Sequence, residues 1–376
     1  AVYRIIAGKP RPLRLGRGAA PLEIELPFSL QQPVLAVGGH MKNTVALAWQ
    51  ERIVVSPHIG DMGTARSLAV FENTLQDLQS LYGVTAEVLV CDAHPGYATT
   101  HWAERRGLPL HKVFHHHAHA AVACRADPGH EPWLIFTWDG VGLGADGTLW
   151  GGEALLGRPG AWQRIASLRP FHLPGGERAG REPWRSAAAL CWESGYHWLQ
   201  LPAGASLLHH AWQRRLNTPQ TSAAGRLFDA AAALTGLCLK ASFEGQGPMA
   251  LEAACHNGAD AVELPLIPDE TGLWLTDWEP LVPMLLDDTR TVSERAACFH
   301  ASMAHSLLQQ ARHAREAYGV TRIGLSGGVF QNRVLTEQAA SLLESDGFTL
   351  DIPDDIPVND AGLSFGQVIE YGMWQL

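Results

Sequence analysis

The chain lacks most of what marks a nucleic-acid, membrane or disulfide-built protein. Its 28 Lys and Arg stand against 38 Asp and Glu, a formal net charge of −10, which argues against a protein whose main work is gripping phosphate backbones. The one basic stretch, Arg4, Lys9, Arg11, Arg14 and Arg17, opens the chain and reads as a surface tail. None of the six cysteines forms a CxxC pair, so zinc-finger spacing is missing. They read instead as buried, reduced thiols. No apolar run is long enough to span a bilayer, and the opening residues carry no apolar segment of the signal-peptide kind. We therefore expect a cytoplasmic protein with no nucleic-acid and no membrane partner. GxxxxGK[ST] is also missing, which excludes a P-loop ATPase.

What is present is an ordinary folding composition over 376 residues, 46% hydrophobic and 18% charged, with 38 glycines and 23 prolines. That length exceeds what one core usually holds, so two lobes are expected. Residues 1–30, rich in Pro, Gly and Arg, read as a linker or the tail of an upstream domain. VLAVGG (34–39), TVALAW (44–49) and RIVVSP (52–57) read as strands opened by a glycine turn. A helix follows at 64–82, with Leu68, Phe71, Leu75, Leu78 and Tyr82 at helical spacing before Gly83. The strand, glycine turn, strand, strand pattern recurs at WLIFTWDG (133–140), TLWGGEALL (148–156) and WQRIASL (162–168). Such a duplication points by analogy to the two-lobed, actin-like α/β fold, built from duplicated RNase-H-like units, with a nucleotide and metal site between the lobes. The expected divisions are 31–130 for lobe I, 131–358 for lobe II with a helical insertion near 183–258, and 359–376 as a C-terminal helix returning to lobe I.

Three features carry chemistry. HHHAH places His115 and His119 four residues apart, on one face if helical, which makes a half-site for a divalent metal. A lone pair of this kind is more often structural; four histidines within five residues shift the balance. His116 and His117 point elsewhere and read as support. Asp139, at a strand end before the glycine stretch 140–144, and Asp360, in VNDAG, are carboxylates of the type that would complete an iron or zinc site, although each has a loop or cap role as its plain alternative. The second feature is four glycine turns, GGHMKN, DGVGLGADG, PGG and SGGVFQN, of a kind that lets backbone amides approach phosphates. Lys42 in the first is placed to pair with a phosphate. The third is GRLFDA (225–230), whose Asp229 sits in an apolar helical stretch and suits ribose hydroxyls; Glu244 in SFEGQ is similar.

Together these segments resemble the C-terminal part of the hydrogenase maturation carbamoyltransferase (HypF) family. The resemblance is carried by VGGHMKNTVAL, SPHIGDM, CDAHPGY, HHHAHAA, DGVGLGADGTLWGGEAL, LPGGERAGREPWR, TSAAGRLFDAAAALTG, FEGQ, LSGGVFQNRVL and PVNDAGLSFGQ, in family order. It implies a fold similar to the tRNA threonylcarbamoyl transferase subunit, and a reaction. Carbamoyl-adenylate, made by an upstream adenylate-forming domain, gives its carbamoyl group to the C-terminal cysteine thiol of a partner maturation protein, on the way to the cyanide ligands of nickel–iron hydrogenase. The opening residues look like the tail of that upstream domain, and the family's acylphosphatase and zinc-finger domains are also missing. The resemblance maps metal ligands onto His115, His119, Asp139 and Asp360. It maps contacts to ATP, AMP or carbamoyl-adenylate onto Lys42, Asn43, Gly142, Gly144, Gly225, Asp229, Gly327, Gly328 and Asn332. Catalytic roles fall on His115, His119 and Lys42, with His116 or His117 as a base for the thiol. Two positions depart from the family: His40 stands where an acidic residue is usual, and Glu177 where aspartate is common. Rival readings are a carbamoyltransferase acting on a small-molecule hydroxyl, the tRNA-modifying transferase, and an actin-like nucleotide switch; the last has no use for two metal-binding imidazoles.

Overall fold

Two β-sheets, each opened by an antiparallel pair and extended by parallel strands, organise the computed structural model. It describes residues 1–256 and 258–375. Positions 257 and 376, within the expected helical insertion and C-terminal helix, lie outside the described residues. A hairpin of β1 (Val2–Ile6) and β2 (Lys9–Arg14) comes first. The first large sheet has the order β4-β3-β5-β6, from β3 (Leu22–Ala36), β4 (Ala46–Val55), β5 (Val88–Asp92) and β6 (Leu110–Val113). Between them run α1 (Ala65–Tyr82) and α2 (Ala98–Glu104). Thr64 caps α1 by accepting from the Ser67 N–H, and Gly83 ends it in the left-handed conformation.

Helix α3 (His115–Ala123) leads into the second sheet, whose central strands are β7 (Trp133–Leu143), β8 (Leu149–Arg158) and β9 (Ala161–Leu168). The short β10 (Phe171–His172) and the helices α4 (Trp184–Ser194) and α5 (Ala205–Gln213) follow. Next come β11 (Gln220–Thr221), α6 (Ala224–Leu234), α7 (Gln246–Ala254), β12 (Leu266–Pro268), β13 (Trp274–Thr276) and α8 (Leu281–Leu286). The 27-residue α9 (Val292–Tyr318) starts in a Thr291/Glu294 capping box. After it run β14 (Arg322–Ser326), α10 (Arg333–Ser345), β15 (Thr349–Asp351) and α11 (Leu363–Trp374). The sheet order β9-β8-β7-β14-β15 repeats the plan of the first sheet, an antiparallel opening followed by parallel strands reached through helices. The expected two-lobed actin-like α/β fold is what these sheets build. Leu363, Phe365, Val368 and Ile369 of α11 share a core with Val34, Ala36, Val88 and Val90 of the first sheet. Among the described residues, no helix is long and apolar enough to cross a membrane.

Two sequence expectations need correction. Residues 1–30, read as a linker or the tail of an upstream domain, hold regular structure packed into this chain: β1 and β2 pair, and Leu22–Glu25 pair with Arg52–Val55. The basic residues there find distant acidic partners, with Arg4 on Glu252 at 2.8 Å and Lys9 on Asp354 at 2.7 Å. Arg11 is buried and donates to the Pro353 carbonyl at 2.8 Å. Second, 44–49 and 52–57 are one strand, not two. Gln50, with φ at +51°, sits where the pairing register slips, so the polar run is an irregularity in an edge strand rather than a turn.

Candidate metal centre

Helix α3 is buried along almost its whole length, which explains its alanines: it is packed between α11 and the second sheet, and a Cβ at Gly366 would strike the Ala118 carbonyl. Within it, the rings of His115 and His119 lie on one face, edge to face with centroids 5.0 Å apart. Asp139 reaches the same point from β7, where the pairing with β8 slips between Trp138 and Gly142, an irregularity that re-aims the side chain. Asp360 arrives from the short 3₁₀ turn Asp360–Gly362, capped by Asn359.

The four ligand atoms lie within 4.8 Å of one another. Asp139 Oδ2 is 3.2 Å from His115 Nε2 and 3.7 Å from His119 Nε2; Asp360 Oδ1 is 3.8 Å and 3.6 Å from the same atoms. Tetrahedral bonds of about 2.1 Å to N and O ligands put neighbouring donors about 3.4 Å apart, so the donor set fits a single divalent ion. The ring of His119 makes no well-formed hydrogen bond through either nitrogen although it is buried, a state that a bound cation relieves. Burial works against charge on His115, but Asp139 and Asp92 outweigh it and raise its pKa well above the ordinary imidazole range. Asp139 is held well below the usual carboxylate range, burial being overcome by the two imidazoles.

Asp92, which sequence reasoning did not single out, accepts from His115 Nδ1 at 2.9 Å. That bond fixes the tautomer and turns the Nε2 lone pair toward the cluster. A signal was available: Asp92, like Asp139, follows a run of apolar strand residues. Gly328 N–H donates to the other oxygen of Asp139 at 3.2 Å. Tyr97 was also missed. It stacks on His94 at 4.2 Å and on His40 at 5.4 Å. Burial, with Asp92, Asp360 and Asp139 nearby, holds its phenol well above its usual pKa.

His116 is fully buried beside His115, neither of its nitrogens has a partner, and burial keeps it neutral, its pKa well below the ordinary value. His117 is pushed down to about 4 by burial.

Of the residues expected to hold a nucleotide, the structure brings some to the cleft and uses others as supports. Lys42 Nζ reaches both oxygens of Glu244 at 2.7 Å. Burial lowers its pKa, but Asp360 and Glu244 raise it further, so it stays charged. Asp229 is buried, its pKa pushed up to about 6 by burial in spite of Arg226, whose guanidinium lies 3.0 Å away without the alignment of a hydrogen bond. Asn43 is fully buried and donates to the Val37 and Gly39 carbonyls at 2.8 Å, holding the turn that carries Lys42. Asn332 caps α10 and donates to His300 Nε2 at 2.8 Å. Gly142 lies within the last residues of strand β7, and Gly144 opens the tight turn to β8, its N–H donating to the Thr148 carbonyl at 2.9 Å. A Cβ at Gly142 would meet the His115 and His116 rings at 2.7 Å, and one at Gly144 would strike the Trp150 indole. Gly225 lets α6 pack on β7, since its Cβ would be 2.8 Å from Gly140 Cα, and Gly327, at φ +104°, lies against the Trp138 carbonyl.

Two imidazoles and two carboxylates, gathered from both halves of a duplicated α/β fold, define a two-lobed protein with a metal-type centre at its cleft. The comparisons agree. Residues 29–127 match the model of the HypF Kae1-like domain, and residues 135–367 match that of the carbamoyltransferase, Kae1-like domain, second subdomain. The chain is 37% identical over 396 residues to carbamoyltransferase HypF of Synechocystis sp., covering 98% of this chain and 51% of that one. It is 32% identical to a carbamoyltransferase HypF homolog of Cupriavidus necator, covering 89% of this chain and 90% of that one. A full-length HypF structure in a phosphate- and nucleotide-bound form superposes with a TM-score of 0.94 at 30% identity, covering 99% of this chain and 60% of that one. The chain belongs to the carbamoyltransferase HypF family. It spans about half the length of most of the curated relatives it matches.

Proposed function

We propose that this chain carries out the transfer step of a hydrogenase-maturation carbamoyltransferase: a carbamoyl group passes from carbamoyl-adenylate to the C-terminal cysteine thiol of a partner maturation protein. The observation that carries the reading is the His115–His119–Asp139–Asp360 cluster within a chain of this family. The donor set suits iron or zinc, and when bound there such an ion supplies Lewis acidity toward a carbonyl oxygen. The nucleotide-bound relative supports an adenylate in the same cleft.

The remaining work falls to the chain. Asp92 holds His115 in register. The Lys42 ammonium, at present facing Glu244, exchanges that carboxylate for a phosphate and takes up charge as the adenylate leaves. Asp229, poised at about 6, accepts from ribose hydroxyls. In the transfer the thiolate sulfur bonds to the carbamoyl carbon, the carbon–oxygen bond to phosphate breaks, AMP departs with the electron pair, and the thiol proton goes to solvent. An upstream adenylate-forming domain supplies the donor, and the setting is the synthesis of cyanide ligands of nickel–iron hydrogenase.

The test is metal analysis with single-turnover transfer from preformed carbamoyl-adenylate, wild type beside His115→Ala and His119→Ala. Both variants should lose the metal and the transfer together. Transfer by a metal-free His119→Ala protein would overturn the reading.

A further inference from the structure

Residues Gly175–Arg178, in the turn after β10, border an open cavity of about 760 Å³ that the proposed transfer step leaves unused. Gly175 and Gly176 both have positive φ, at +88° and +54°. A side chain at Gly175 would strike the Arg185 guanidinium, so the turn is folded around that group. Arg185 is only 9% exposed. Its Nε is held by Glu182 and its guanidinium lies over the Trp184 ring, while, among the described residues, Nη1 and Nη2 bond to no protein atom, and Arg185 is part of the cavity's lining. Arg178, Glu177 and Asn217 also line it, and none of their side chains has a partner among the described residues. Leu208 adds an apolar side chain to the lining.

This wall is mixed in charge. Two guanidiniums offer a fork for one planar oxyanion, whereas Glu177 opposes a dianion such as phosphate and accepts an N–H. Leu208 in the lining suits an apolar side chain. A planar carboxylate, an adjacent N–H and side chains behind them are the chemistry of a polypeptide's C-terminal residue. The turn is also close to the reacting centre. Arg226 lies 3.3 Å from the Cβ position of Gly180 and 3.5 Å from that of Gly140, which follows the ligand Asp139. We propose that this cavity captures the free α-carboxylate of the acceptor polypeptide on Arg185 and Arg178, so that the terminal side chain is delivered to the cleft. The proposal rests on the reading above that the acceptor is a partner polypeptide.

The test uses the whole chain and a fluorescein-labelled eight-residue peptide ending in cysteine, with either a free carboxylate or a carboxamide. Wild type should bind the free acid at least about tenfold more tightly, and Arg178→Ala and Arg185→Met should each shrink that preference. In transfer the free-acid preference should appear in KM, with kcat little changed. Equal binding of the two peptides by wild type, including none by either at millimolar concentration, overturns the proposal, as does displacement of the peptide by inorganic phosphate with equal potency. A free-acid preference without transfer would uphold the pocket and sink the transfer reading. Equal transfer to both peptides would do the reverse.

Discussion

Replacing Gly142 by alanine should empty the metal centre while leaving the fold intact. The added Cβ would lie 2.7 Å from His115 Cδ2 and 2.7 Å from His116 Cε1, where carbon atoms rest at about 3.5–4.0 Å. Something must therefore move by roughly 0.8 Å or more. The strand cannot drift easily, because Gly142 is registered opposite Trp150 in the β7–β8 pair. His116 has no room, being fully buried. The ring of His115 is left to turn, and turning it strains the 2.9 Å bond to Asp92. Metal–ligand distances tolerate about 0.2 Å, so the shift misplaces Nε2. Losses from disturbing a ligand's support run at about 10–100-fold in affinity. The assay is metal retention across a series of chelator-buffered free concentrations, with the melting temperature and calorimetric titration of AMP on the same samples. A folded Gly142→Ala protein that keeps metal with wild-type affinity refutes the argument. Retained metal with weakened AMP binding would instead return Gly142 to the phosphate-contact role expected from the sequence.

Three further outcomes are expected. Glu244→Gln should tighten AMP binding by about two- to fivefold, the worth of a partly exposed ion pair, because it frees Lys42 from a competing carboxylate; weaker binding would show instead that Glu244 itself contacts the nucleotide. Asn332→Ala removes both the α10 cap and the bond to His300 and should cost about 2 kcal/mol of stability in denaturant titrations, with AMP affinity unchanged if its part is structural. Glu370 is fully buried, accepting from the Trp162 indole and from Gly160 N–H, and burial pushes its pKa up to about 8 in spite of both bonds. Between about pH 4.5 and 8 the folded state therefore holds a proton that the unfolded state has released, so this group lowers stability as pH rises through that window, by up to about 5 kcal/mol; urea titrations across the window should show wild type losing stability relative to Glu370→Gln as pH rises.

The parts of the site that were legible in the sequence are those whose local spacing is itself the geometry. His115 and His119 share a face because four residues make about one helical turn, and Asp139 was visible as a carboxylate ending an apolar strand run. The glycines show the limit. A glycine at 142, 144, 225 or 327 reports that a Cβ is not tolerated, but sequence does not say what fills the space. Read as nucleotide contacts, these four lie against an imidazole pair, an indole, a strand backbone and a carbonyl. The opening residues show a different limit. Composition alone makes Arg4, Lys9 and Arg11 a basic tail, while their partners Glu252, Asp354 and the Pro353 carbonyl are 248 to 345 residues away. The asparagines show a third: Asn43 and Asn332 sit in motifs that suggest ligand contact, and the motifs do not announce that their amide nitrogens donate to backbone carbonyls and to His300.

These limits share a physical origin in how the centre is assembled. No segment supplies more than two of its four ligands: α3 gives the imidazoles, β7 gives Asp139, and the turn before α11 gives Asp360. Helix α3 follows directly on β6 of the first sheet and packs against the second, so the imidazoles are carried between the two halves. The supports come from both halves too, Asp92 from β5 and Gly328 from the turn after β14. The affinity of this candidate centre for an ion therefore depends on how the halves are placed relative to one another, and an ion bound there would stabilise that placement by mass action. The close approaches at Gly142, Gly225 and Gly366 serve the same end. Each brings α3, β7, α6 or α11 nearer than a side chain would allow, and the four donors meet only because the elements carrying them are packed that tightly.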